Sequence, residues 1–185
     1  TETVPIVVPS GVTVAGQAGW QSTEVVGSSA TGTRFELSNG SLIKDLKIQI
    51  PTDSGSYAAS FSGSGGEVAS INFLSFYGQT AGSGSGYGQI GPGKTIGLEL
   101  RYSSGPCDAI LEVKDGILAC EGVHVPNSAG AVNAGVRAIG SAQPRHPGKG
   151  RFQGVDINMG ATNVEDAVEV NGTATVVLLG VNLFN

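Results

Sequence analysis

Apolar and polar residues alternate along this chain in short runs, and one pattern recurs: a small or turn-forming residue, then apolar–any–apolar. The copies are Gly11-Val12-Thr13-Val14, Asp45-Leu46-Lys47-Ile48, Ser70-Ile71-Asn72-Phe73, Gly97-Leu98-Glu99-Leu100, Gly122-Val123-His124-Val125, Gly154-Val155-Asp156-Ile157 and Gly180-Val181-Asn182-Leu183. Their first apolar positions step by 34, 25, 27, 25, 32 and 26 residues, so four of the six steps lie within one residue of 26. Period-two alternation predicts strands with one inward face, and a near-constant step predicts a stacked repeat. Further strand-like pieces precede several copies: Phe35-Glu36-Leu37, Ile110-Leu111-Glu112-Val113 and Ala167-Val168-Glu169-Val170. Each runs into a glycine turn at Asn39-Gly40, Asp115-Gly116 or Asn171-Gly172. No twelve-residue stretch free of Gly and Pro has helical periodicity.

Two all-β architectures fit short strands and glycine turns. Asn-Gly between alternating runs is a hairpin signal, which points to an antiparallel β-sandwich or jelly roll. A constant step is not required of hairpins. It is required of a parallel β-helix, in which each coil closes one turn and stacks on the last at the ordinary strand spacing. The expected fold is therefore a short, single-stranded, right-handed parallel β-helix of about seven coils. Val12, Leu46, Ile71, Leu98, Val123, Val155 and Val181 are expected to form one inward ladder. The helix is expected over residues 12–185, after an extended arm or cap at 1–11. Loop insertions are expected at 79–93 and at 141–150, where Arg145 and His146 supply local basic charge.

Leu42-Ile43-Lys44-Asp45-Leu46-Lys47-Ile48 resembles the coil motif of pectin-lyase-like right-handed β-helices, and Leu178-Leu179-Gly180-Val181-Asn182-Leu183 is similar. The resemblance runs from about residue 12 onward and implies the fold; function does not follow from fold. Short, glycine-rich, weakly charged coils also resemble β-helical parts of bacteriophage virion proteins, such as capsid decorations and tail spikes. That second resemblance, carried by composition, implies a non-enzymatic capsid decoration or cement protein. It would act as a homotrimer on a major capsid protein or another virion component. A receptor- or glycan-binding tail-spike or fibre module, facing a host surface glycan, is the alternative, and a polysaccharide hydrolase or lyase is the second alternative.

Composition narrows the classes further. Of 185 residues 30 are glycine, without the every-third spacing of collagen. A net charge of -5, with ten scattered basic residues, argues against a nucleic-acid partner. No apolar run approaches the roughly 20 residues of a membrane helix. The chain opens Thr1-Glu2-Thr3 with no visible signal peptide, which suits a virion component made in the host cytoplasm. Cys107 and Cys120, 13 residues apart, are too few for a disulfide framework and read as buried thiols. No cofactor or metal is expected.

Candidate chemistry lies on the outward positions of the repeat. Reading up the stack gives Thr13, Lys47, Asn72, Glu99, His124, Asp156 and Asn182, a face for glycan binding or for an interface. Glu99 and Asp156 on alternate coils would stand about 10 Å apart, near the range of an inverting glycosidase pair. The plainer reading is a solvated face with cross-strand charge pairs. Trp20, Tyr87, Arg145 and His146 are candidate loop contacts, and Tyr77, Tyr87 and Tyr102 would give a stacking platform if they converge. Gly88-Gln89-Ile90-Gly91-Pro92-Gly93-Lys94-Thr95 matches a P-loop in its letters, but an alternating strand follows it where a helix is required. Asp108, Glu112, Asp115 and Glu121 lack the alternation of a calcium loop and read as turn and surface residues.

Overall fold

The structure is a computed structural model that describes residues 5–19, 22–27, 31–78, 84–125, 131–140, 143–145, 152–153, 155–158, 164–174, 178–179 and 182–184. Its strands are β1 (Ile6–Val8), β2 (Thr13–Ala15), β3 (Glu24–Val25), β4 (Phe35–Leu37), β5 (Leu42–Gln49), β6 (Tyr57–Ser62), β7 (Val68–Tyr77), β8 (Ser85–Ile90) and β9 (Lys94–Ser104). They continue as β10 (Cys107–Lys114), β11 (Ile117–Val125), β12 (Val132–Gly140), β13 (Gln143–Arg145), β14 (Phe152–Gln153), β15 (Val155–Asn158), β16 (Val164–Gly172), β17 (Leu178–Leu179) and β18 (Asn182–Phe184). Among the described residues there is no helix.

Alternate strands enter two sheets. The first runs β1-β4-β6-β8-β10-β12-β16 and the second β18-β15-β11-β9-β7-β5-β2, with β3 and β13 beside β5 and β11. Every pairing is parallel, including that of β14 with β17. This is a β-solenoid, and the antiparallel sandwich is excluded. It has about five turns, fewer than the seven expected. The first and last copies of the repeat lie in three-residue strands, β2 and β18.

Between the sheets the chain turns on glycine. Gly116 has φ +100, and a Cβ there would sit 2.2 Å from the carbonyl oxygen of Gly91 in the coil below. The turn thus needs both a left-handed backbone and bare space. Across the sheets, equivalent side chains stack inward. One ladder is Phe35, Ala59, Tyr87, Leu111 and Val136; another is Leu46, Leu74, Leu100 and Val123; all are buried.

The second ladder corrects the expected one. Leu46 pairs with Leu74, not Ile71, and Val123 pairs with Leu100, not Leu98. Each long strand of this sheet bends, and two adjacent residues point outward between inward ones. Lys44-Asp45 stand between Ile43 and Leu46, Asn72-Phe73 between Ile71 and Leu74, Leu98-Glu99 between Gly97 and Leu100, and Glu121-Gly122 between Cys120 and Val123. Asp45 and Phe73 make the bend with positive φ, 58° and 53°. Strict alternation fails there, and with it the register that alternation implies.

Strands lie within the expected arm or cap and within both expected insertions. Ile6–Val8 of the expected arm pairs with β4, and Ser85–Ile90 of the expected 79–93 insertion is β8, in the middle of the first sheet. In the 141–150 insertion, Gln143–Arg145 pairs with β11. The P-loop-like letters span β8 and the start of β9, so Lys94 opens a strand. Cys107 and Cys120 are free and buried, and burial pushes both thiol pKa values up to about 12.

Candidate functional site

The second sheet holds most of the expected site residues, in an altered order. By register the row runs Lys47, Ser75, Arg101, His124, Asp156, Asn182. Asn72 lies opposite Lys44 and Glu99 opposite Gly122, so neither belongs to it. The expected Glu99–His124–Asp156 file is therefore broken, and Arg101 takes the place given to Glu99. Glu99 still reaches the row diagonally. Its Oε1 accepts from Arg101 Nε at 3.1 Å and lies 3.6 Å from His124 Nε2. Lys47 pairs with Glu24 at 3.7 Å and lies over the Tyr77 ring, 4.5 Å from its centroid. Exposed pairs of this kind contribute only about 0–1 kcal/mol each.

At the bend this row borders a shallow groove of about 290 Å³ lined by Phe73, Leu98, Glu99, Glu121, Gly122 and His124. Phe73 is 38 % exposed. Its left-handed backbone costs about 1–2 kcal/mol for a residue with a Cβ. The fold thus holds an aromatic ring outward on a strained residue, beside the half-buried Leu98 of the next coil.

The loop contacts divide. Trp20 and His146 lie outside the described residues, and Arg145 is placed by its backbone pairing with Ala119. Tyr87 is not a loop contact: it is an interior residue, 0 % exposed, its hydroxyl 2.8 Å from Thr95 Oγ1. Tyr102 is buried as well, with its hydroxyl on the Gly105 carbonyl, and Tyr77 is half-buried beneath Lys47. The three tyrosines form no exposed platform. Glycine content made the Tyr87 segment look like loop, yet Gly86 and Gly88 serve close packing. A Cβ at Gly88 would meet the Tyr57 ring at 2.5 Å, and one at Gly86 the Ile110 carbonyl oxygen at 2.6 Å.

A polar cluster absent from the expectations occupies the outer face of the first sheet. The outward row is Val7, Glu36, Ser60, Gly88, Glu112, Arg137, Glu169. Arg137 donates to Asp108 Oδ2 at 2.5 Å, to Glu112 Oε2 at 3.1 Å and to Glu169 Oε2 at 2.5 Å. Glu112, 5 % exposed, also accepts from Tyr57 Oη at 2.6 Å and pairs with Lys114 Nζ at 2.8 Å. Burial alone would raise the Asp108 and Glu112 pKa values. Hydrogen bonds from Arg137 and Asn133 to Asp108, and chiefly from Lys114 and Tyr57 to Glu112, outweigh it and hold both carboxyls below their ordinary values. Burial, then the bond to Glu112, pushes the Tyr57 phenol up to about 12. Among the described residues Asp108, Glu112, Asp115 and Glu121 do not gather into a metal-binding group. The cluster had a sequence signal: Glu112, Arg137 and Glu169 are separated by 25 and 32 residues, two of the repeat's own steps.

Searches against protein-family models, curated proteins and solved structures find no match to this chain.

Proposed function

We propose that this chain is a non-enzymatic structural protein, a β-solenoid that trimerises and decorates or cements a virion-type shell through its major capsid protein or another virion component. The observation that carries the reading is the groove at the bend, where Phe73 is held outward on a left-handed backbone next to Leu98. An exposed aromatic kept at a conformational cost is what a contact surface requires, and solvation gives no reason for it. Val12 and Val26 add exposed apolar surface close to β2 and β3, at the edge of the second sheet among the described residues. Uncovered edges invite pairing, and a partner that covers them removes that hazard. Asp108, Glu112, Arg137 and Glu169 on the first sheet are engaged in a bridged cluster, which suits a rigid scaffold.

Sedimentation of the purified chain, alone and with candidate virion particles, tests this. The expected result is a trimer that binds particles saturably. Phe73→Asn, which tolerates positive φ, should weaken association while raising Tm by roughly 2–4 °C, the equivalent of about 1 kcal/mol at this size. A wild-type chain that stays monomeric and ignores particles would overturn the reading.

A further inference from the structure

We infer that a cleft on the outer face of the first sheet is a binding site for a neutral saccharide. It is separate from the groove at the bend and does not depend on the structural role proposed above. The cleft has a volume of about 490 Å³, inside the roughly 300–1,000 Å³ of small-molecule sites. Its floor is low where the outward row places the small Ser60 beside Glu36, and the Tyr57 ring, packed over Gly88 at the next position of the row, bounds it there. By strand order Val7 and Glu36 lie on one side of the Ser60 strand and Ile90 on the other, with Tyr57 and Ser62 on that strand itself. From Tyr57 to Ser62 the strand runs about 17 Å at the usual rise. Tyr57 is a fixed wall, because its hydroxyl is held by Glu112 at 2.6 Å and Lys114 at 3.1 Å.

The free polar groups give the ligand class. Among the described residues the side chains of Ser60, Ser62 and Glu36 take no hydrogen-bond or ion-pair partner. This contrasts with Asp108, Glu112 and Glu169 on the same sheet, all bound by Arg137. Hydroxyls both donate and accept, and a carboxylate accepts strongly from O–H donors. Together they match a polyol's mixed donors and acceptors, while Val7 and Ile90 offer apolar surface to a ring's C–H face. No Lys or Arg lines the cleft, so a phosphate or sulfate finds no counter-charge. Rigid walls lower the ordering cost of binding.

Saturation-transfer NMR and calorimetry on the full chain would test this with glucose, galactose, mannose, N-acetylglucosamine and their β-linked disaccharides. Glucosamine and a tetralysine peptide would serve as cationic probes. Binding of one or more neutral sugars with Kd in the roughly millimolar range is expected. Glu36→Gln should weaken it about tenfold or more, and Ser60→Leu should abolish it by filling the floor. Glu36 is exposed, so the first variant keeps the test valid if the second folds poorly. Three results would overturn the inference: no neutral sugar bound at roughly 50 mM, undiminished binding in Glu36→Gln, or binding confined to the cationic probes.

Discussion

Replacing Gly116 with alanine tests the stacking of the coils at its tightest corner. The new Cβ would lie 2.2 Å from the Gly91 carbonyl oxygen and 2.7 Å from that of Gly93. Restoring ordinary contact requires a retreat of about 1 Å by backbone that is itself hydrogen-bonded, Gly93 N to Gly63 O at 2.9 Å and Ile117 N to Gly93 O at 3.1 Å. At φ +100 the alanine also carries a conformational cost of about 1–2 kcal/mol. Loss or stretching of one or two bonds adds about 1 kcal/mol each. The sum is about 2–4 kcal/mol, or roughly 4–16 °C in Tm for a chain of this size. Two neighbours in one exposed turn separate the causes. Gly66 has φ +89 and open space around its Cβ position, whereas Gly65 has open space and no positive φ. Thermal melts should therefore rank Gly65→Ala near wild type, Gly66→Ala lower by about 1–2 kcal/mol, and Gly116→Ala lowest. If Gly116→Ala melts with Gly66→Ala, the coils are not in van der Waals contact at that corner and the packing argument fails.

Three further outcomes follow from the interior and from the first sheet's outer face. Arg137→Met leaves the buried Glu112 with Lys114 as its one remaining cation, and should cost roughly 2–4 kcal/mol in urea melts at pH 7. Because the Asp108 and Glu112 pKa values are depressed in the fold, their contribution is present above about pH 4 and lost as pH falls through their folded values. The wild type should accordingly lose more stability between pH 7 and 3 than Arg137→Met; equal acid losses would remove the cluster's stabilising role. Cys107 and Cys120 should not react with a thiol reagent at pH 8 until the chain unfolds, since a thiol pKa of about 12 leaves almost no thiolate; prompt labelling of the native protein would contradict their burial. Arg34 is 1 % exposed, and among the described residues its Nε and Nη2 have no hydrogen-bond partner. Arg34→Met should be neutral or stabilising by about 1 kcal/mol, because Asp53 keeps its bonds from Gly32 and Ser56. A loss of more than about 2 kcal/mol would show that the guanidinium is better satisfied than its geometry indicates.

By itself the sequence determined that the chain is all-β, that its strands stack as parallel coils and that glycine turns join them. These follow from local alternation and from a period that every coil must share. Its spacing also held the Glu112–Arg137–Glu169 row, visible once the steps of 25 and 32 residues are applied to the first sheet. Tertiary structure decided the register. At the bend two outward residues replace one, so Phe73 and Leu98 face out although their side chains are as apolar as those of the inward Leu74 and Leu100. Hydrophobicity says that a residue can be buried; only the closed circuit of the coil says which of two adjacent apolar residues has room inside. The same holds for Ser85–Ile90, where glycine reads as loop locally but is selected by the approach of Tyr57 and of Ile110 from neighbouring coils.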